Sequence, residues 1–504
     1  MAQPHEPLKE GFIACSDCTV VVCSAKRLLI LYHIRLWLSM LAPITIYKFD
    51  YGCYNLYMSF LFASVLPLLI MVALALNILQ FVLTPDIDKR RTAMRRAIAF
   101  CVPNNENYES QVKAWSVKRT IFTVVCIAVA SRLLTYFIGA LVSGTPIFSQ
   151  QLWCKWDGNH YLKLAELGYG GYLESCSCGE NSPIFLVFFP LYPWLVKIFS
   201  LVTFGNYYAA ALLVSNLCFV FAAIFFYKLV SSFFTRKTSL LALVLLCFAP
   251  FSLFFSAPFT ESLFLLTTVA TTYFSVKKKW WLAGVFGFAA ALSRLVGVFI
   301  VIVILGFWLT DILKSRKAEI NLSLKKEILK IIPCALAPVV GTLVYLLLNY
   351  VVAGDAFKFL FYQNNHWHNR FMIFFESLDI QCSQLSSRLA SYSAGGDLND
   401  LFIALGVHLS NILPLLFVLS ALIGLILNGD RKMQTLSFLL GFSVLVSYSV
   451  SWLLSGARYT FAMFPLYIGL AVLAKNRYAR DGIIAVFSIT YFVSIVLFVL
   501  GQVY

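Results

Sequence analysis

Apolar runs long enough to cross a bilayer fill nearly the whole chain, and this feature limits the fold more than any single motif does. Spanning about 30 Å of hydrocarbon takes roughly 17–25 residues of helix at about 1.5 Å per residue. Inside the hydrocarbon the chain has to satisfy its own backbone N–H and C=O groups, which such helices do. Read this way, the chain is all-α, a polytopic transmembrane helical protein. Its 504 residues are 60% hydrophobic and 12% charged, far above the roughly half-apolar make-up of soluble domains. Function must then lie in the segments between crossings.

Thirteen crossings are expected, at 27–47, 54–83, 120–142, 209–234, 239–254, 259–276, 280–293, 297–313, 331–352, 401–427, 434–453, 459–474 and 481–503. With the N-terminus cytoplasmic, most of the 39 Lys and Arg fall on the inner side, which fixes the orientation. The net charge of +16 is read through the same rule, so nucleic acid is not an expected partner. The segment 185–200, FLVFFPLYPWLVKIFS, is not counted, because counting it would put Lys277, Lys278 and Lys279 outside. Pro190 and Pro193 break a continuous helix there, and the segment is expected to be re-entrant or to lie flat.

Two parts are expected. Residues 1–110 form a two-helix N-terminal appendage with a polybasic cytoplasmic loop, Thr84 to Arg119, read first as a topology anchor and otherwise as a contact with anionic membrane lipids. Residues 111–504 form the body, with large outer loops at 143–207 and 353–400. Cys15 and Cys18 form a C-x-x-C without a second ligand pair, so reduced thiols are expected there rather than zinc. No signal-peptide pattern is convincing, and the N-terminus is expected to be retained. Cys154, Cys176, Cys178 and Cys382 lie in outer loops, where a disulfide is chemically allowed; its pairing stays open.

The outer loops carry the chemistry. In WCKWDGNHYLKLAELGY, 153–169, the residues Asp157, His160, Lys163 and Glu166 recur every three positions. A helix starting near Asp157 would show them as one polar stripe, with Trp156, Tyr161, Leu164 and Ala165 on the remainder. A carboxylate at the water–lipid boundary is either functional or a cap for its helix. Glu261, in the turn 257–261, is either a second site carboxylate or an acid favoured by the helix dipole. Arg294 and Arg458 stand at outer turns in apolar surroundings and need an anionic partner, for which a lipid phosphate is suited. In QNNHWHNR, 363–370, Gln363, Trp367 and Arg370 combine amide, indole and guanidinium, a set that suits a sugar phosphate. His366 and His368 make a metal pair only if Asp157 or His160 adds a third ligand. No metal and no cofactor are expected.

The segments WDGNHYLKLAELGY, FFPLYP, SAPFTESLFLL, SRLVG, GDAFKFLFYQNNHW and ARYTFAMFPLYIGLA occur in an order and spacing that resembles the PIG-V-like mannosyltransferases over roughly residues 120–500. That family belongs to the membrane glycosyltransferases of the GT-C class, which take a sugar from a polyprenyl phosphate on the outer or lumenal face. The eukaryotic PIG-V enzyme adds the second mannose to the glycosylphosphatidylinositol precursor. The GDAFKF, QNNHW and SRLVG forms resemble the bacterial branch, which implies a bacterial plasma membrane, or the endoplasmic reticulum in a eukaryote. The resemblance implies that Asp157 is the catalytic acid or base, with Glu261, Arg294 and Arg458 in the same cavity; Glu261 is expected as the second catalytic carboxylate, and Trp156, His160, Arg294, Gln363, Trp367, Arg370 and Arg458 are expected on substrate. It implies a polyprenyl-phosphate sugar donor, a lipid-linked glycan acceptor and an inverting reaction. A transporter or flippase of lipid-linked sugars is the alternative, although it should show internal repeats and midplane charges. A scaffold would need none of these outer charges.

Overall fold

The computed structural model describes residues 60–83, 116–175, 181–318, 323–474 and 476–502. The expected first crossing, the C-x-x-C, the boundary at 110, most of the polybasic loop and Cys176 and Cys178 lie outside them. Everything below belongs to one compact unit, Asn55–Tyr504.

The helices include α1 (Leu66–Leu83), α2 (Val117–Ser143), α3 (Asp157–Leu167), α4 (Leu191–Ser200), α5 (Tyr207–Val230), α6 (Arg236–Cys247), α7 (Glu261–Val276), α8 (Trp280–Ser293), α9 (Val301–Lys317) and α10 (Leu324–Ala353). They continue with α11 (Lys358–Asn365), α12 (Phe374–Ser393), α13 (Pro414–Leu427), α14 (Arg431–Tyr448), α15 (Gly456–Phe461), α16 (Pro465–Leu473) and α17 (Arg477–Val499). One short antiparallel pair, Glu174–Ser175 with Asn181–Ser182, interrupts the first large loop. The expected all-α membrane class is the class observed.

Among the described residues, seven helical stretches are long and apolar enough to span: Leu61–Ile78, Val117–Ser143, Tyr207–Val230, Leu295–Arg316, Leu324–Ala353, Leu398–Leu427 and Arg477–Val499. Five other expected crossings, 239–254, 259–276, 280–293, 434–453 and 459–474, fall on helices that are shorter or more polar. Helix α7 shows why. It packs between α5 and α8 and is buried almost all round, so it faces protein and can carry Thr267, Thr268, Thr271, Thr272 and Ser275. Each of those hydroxyls donates to the carbonyl four residues earlier, which leaves none of them unsatisfied. The 185–200 segment is a 3₁₀ turn followed by α4, whose ten residues are too few to cross alone.

Between α6 and α7 the chain leaves the helix, runs through a buried 3₁₀ turn at Ser252–Phe255 and reaches Glu261. The carbonyls freed there need donors, because Cys247 and Ser252 are fully buried. Arg132 of α2, itself buried, donates to the carbonyl oxygen of Cys247 at 2.5 Å and to that of Ser252. Its guanidinium lies 4.3 Å from the centre of the Phe219 ring. The second helix of the N-terminal stretch also packs into the main core, with Ala63, Leu66, Ile70 and Leu74 buried.

Candidate active site

Four charged side chains that the sequence reading singled out meet at one end of the helices. Asp157 opens α3, Glu261 opens α7, Arg294 ends α8 and Arg458 sits in α15. Arg458 Nη1 donates to Asp157 Oδ2 at 2.8 Å, and its Nε donates to Glu261 Oε1. Arg294 Nη1 donates to the same Glu261 oxygen at 2.7 Å. Glu261 is thus shared by two guanidinium groups, and the four groups carry two positive and two negative charges.

Exposure grades across this network. The side chains of Glu261 and Arg458 are 1% and 4% exposed, that of Arg294 13% and that of Asp157 31%. Glu261 is therefore enclosed, and its Oε2 has no hydrogen-bond partner among the described residues. Asp157 opens to solvent, and its Oδ1 accepts no bond from a described residue. The arginine planes are held by aromatic faces: Arg294 lies 4.6 Å from the Tyr459 ring centre and Arg458 lies 4.7 Å from that of Phe259. Trp156, just before Asp157, has φ 44°, a left-handed conformation that a bulky residue adopts at a cost and that is enriched at functional sites.

The other expected site residues are placed around this centre. His160 stacks on Phe185, with ring centres 4.1 Å apart, and its Nδ1 is 3.3 Å from the Tyr172 hydroxyl. Burial lowers the His160 pKa below the ordinary value, and the carboxylates of Asp157 and Glu174 oppose that shift. Trp367 meets the same cluster edge-on, 6.1 Å from Phe185 and 6.4 Å from Phe188. His160 and Trp367, far apart in sequence, therefore share one aromatic patch. Gln363 lies on α11, where its carbonyl accepts from Asn369 N at 2.8 Å. Arg370 is exposed; its backbone N donates to Ser451 Oγ at 3.0 Å and its carbonyl accepts from Ser451 N at 2.9 Å. Neither Gln363 nor Arg370 has a hydrogen bond or ion pair to the four charged residues, but the loop they bound is stapled to the segment that leads into Arg458.

Sequence reasoning missed the residues that hold this turn. Asn411 accepts from Gly456 N at 2.8 Å and donates to Leu453 O at 2.8 Å, and Gln381 donates to the same carbonyl at 3.0 Å. Nothing marks Asn411 in an otherwise apolar run. Tyr459, against both arginines, was quoted only as part of a motif. Cys154 and Cys382 are free thiols, each buried. Among the described residues no group of three His, Cys, Asp or Glu could hold a metal ion.

Residues 183–349, about a third of the chain, match the dolichyl-phosphate-mannose-protein mannosyltransferase family. Glu261 and Arg294 fall inside the match; Asp157 and Arg458 fall outside it. No curated protein matches the chain. Among solved structures, the archaeal oligosaccharyltransferase AglB from Archaeoglobus fulgidus, in complex with an inhibitory peptide and a dolichol-phosphate, is 12% identical with a TM-score of 0.42, over 78% of this chain and 56% of that one. The Archaeoglobus fulgidus oligosaccharyltransferase complex with Zn and sulfate is 12% identical with a TM-score of 0.41, over 74% and 53%. The chain thus spans little more than half the length of these proteins. The family match supports the class, a membrane glycosyltransferase of the GT-C type.

Proposed function

We propose that this protein is a PIG-V-like mannosyltransferase, which moves a sugar from a polyprenyl-phosphate donor to a lipid-linked glycan or glycosylphosphatidylinositol-like acceptor by an inverting mechanism on the outer or lumenal face. The observation that carries this reading is the Asp157–Arg458–Glu261–Arg294 network at one end of the helices.

Each group has one task. Asp157, the exposed acid, takes the proton from the acceptor hydroxyl through Oδ1 while Arg458 holds Oδ2. The acceptor oxygen attacks the anomeric carbon from the face opposite the phosphate, and the anomeric C–O bond breaks with its electron pair going to the polyprenyl phosphate. Arg294 spends one N–H on Glu261 and keeps its other donors for that phosphate. Glu261 is too enclosed to reach a substrate hydroxyl and acts by setting both guanidinium planes. The aromatic patch of His160, Phe185 and Trp367 offers faces for a sugar ring. All the positive charge this needs comes from arginine, so activity is expected to survive a chelator.

The test is transfer from polyprenyl-phosphate mannose by the full chain in lipid nanodiscs, with lipid extract from cells lacking the gene as acceptor. A mannosylated lipid product is expected, and extract from such cells should lack it beforehand. Full donor binding without any transfer would overturn the reading.

A further inference from the structure

A recess opens at the residues that flank Asp157 in the chain. It is open to solvent and has a volume of about 790 Å³, within the range of small-ligand sites, and Gln150, Gln151, Cys154, Lys155, Trp156, Asn159 and Gly501 line it. The short helix Gln150–Trp153 and the first turn of α3 bring these residues together, and Gly501 joins them from just past the end of α17.

Its chemistry differs from that of the arginine pair. The side-chain amides of Gln150, Gln151 and Asn159 make no hydrogen bond to a described residue, so each has donors and an acceptor to give. Lys155 donates to the carbonyl oxygens of Phe498 at 2.8 Å and Val499 at 2.9 Å, which leaves one of its three donors and spends much of its charge on the end of α17. Trp156 supplies an indole held by its strained backbone. Three unspent amides, one donor and one indole suit a ring with many hydroxyls and little charge, whereas a phosphate is better served by Arg294 and Arg458.

We infer that this recess is a carbohydrate subsite that seats the acceptor, with Gln150, Gln151 and Asn159 on its hydroxyls and Trp156 on a ring face. The inference rests on the transferase reading for the word acceptor, because Trp156, which lines this recess, directly precedes Asp157 in the chain, and a base must reach the acceptor hydroxyl. The binding of a sugar there does not depend on that reading.

Two measurements on the full chain in nanodiscs separate the two. Saturation-transfer NMR with methyl hexopyranosides reads binding directly. Signal is expected with the wild type, and Asn159→Trp, which fills the recess from an exposed position, and Gln151→Ala should each weaken it about tenfold. Arg458→Lys should leave it unchanged. In the transfer assay, Asn159→Trp should raise acceptor KM about tenfold with donor KM unaltered. Hexoside binding that is absent from the wild type, or equal in Asn159→Trp, overturns the subsite. Hexoside binding that Asn159→Trp abolishes, in a protein with no transfer activity, keeps the subsite and removes the transferase reading instead.

Discussion

Glu261 and Asp157 are both carboxylates at helix starts, yet Glu261 is enclosed and Asp157 opens to solvent, and the proposed mechanism gives them different tasks. Replacing Asp157 by Asn keeps its size and its bond to Arg458 but removes the acceptor of the substrate's proton. Turnover should fall about a hundredfold or more, with the protein still inserted and donor binding retained. Near-normal turnover in a folded Asp157→Asn protein would take Asp157 out of the mechanism. Glu261→Gln is different, because it leaves two guanidinium groups short of their shared partner in an enclosed site. Breaking a buried pair in this way costs about 3–5 kcal/mol, against the roughly 0.3–1 kcal/mol expected of a helix-dipole acid alone. Thermal unfolding in detergent should show the larger loss, and a loss in the smaller range would mean that the pairing contributes little. Arg294→Lys and Arg458→Lys keep the charge and lose the planar fork, so donor affinity should weaken about tenfold in each. Unchanged donor affinity in both would return them to a purely structural role. His160 gives a pH signature. Its folded-state pKa lies below the ordinary 6.5, so the unfolded chain binds the proton first as pH falls. The stability that neutral His160 contributes is therefore present above pH 6.5 and lost as pH falls through the folded-state value. Melting temperature should drop more steeply toward acid for the wild type than for His160→Phe, which keeps the stacking on Phe185; parallel curves would refute this.

At the scale of elements, close helix packing decides where the arginines stand. Helices α13 and α16 touch through glycine. A Cβ on Gly424 would run into the carbonyl oxygen of Gly469, and one on Gly469 into that of Ala421. Small residues at such crossings let backbones approach in a membrane, where lipid offers no hydrophobic drive for association. Gly469→Ala should cost about 1–3 kcal/mol through overpacking. Because α16 follows α15 directly, the variant should also disturb Arg458. Loss of thermal stability with donor affinity intact would separate the packing from the site. Gly297 is similarly tight, its Cβ direction blocked by the Ala290 carbonyl, which fixes the turn that follows Arg294.

For the whole molecule, the two ends of the helices differ in charge. At the site end, Arg294 and Arg458 pair with carboxylates in the enclosed network. The other end carries Lys277, Lys278 and Lys279 between α7 and α8, and there Lys432 pairs with Asp311 at 2.9 Å and Lys278 lies 3.9 Å from Asp311. That distribution matches an orientation with the site on the outer face. In intact cells, a single cysteine at Lys163 should react with a membrane-impermeant thiol reagent, whereas one at Lys278 should react only after permeabilisation. The reverse pattern would invert the topology and, with it, the face on which the donor is used.

Much of the protein was readable from local pattern. Apolar continuity fixed the helical membrane class, and the three-residue recurrence of polar groups placed the start of α3 at Asp157, because both signals act between residues a few positions apart. The same reading chose Asp157, Glu261, Arg294 and Arg458 as the charged residues that an apolar chain would keep only for a reason. It left open whether Glu261 was a cap or a site group, since either is favourable at a helix start. Tertiary structure decided its partners, because the guanidinium groups that meet Glu261 come from 33 and 197 residues away. It also put Trp367 against Phe185, Asn411 under the Gly456 turn and three unspent amides around one recess. Such contacts depend on how the helices pack, and packing is set by side-chain shape across elements that sequence spacing does not record.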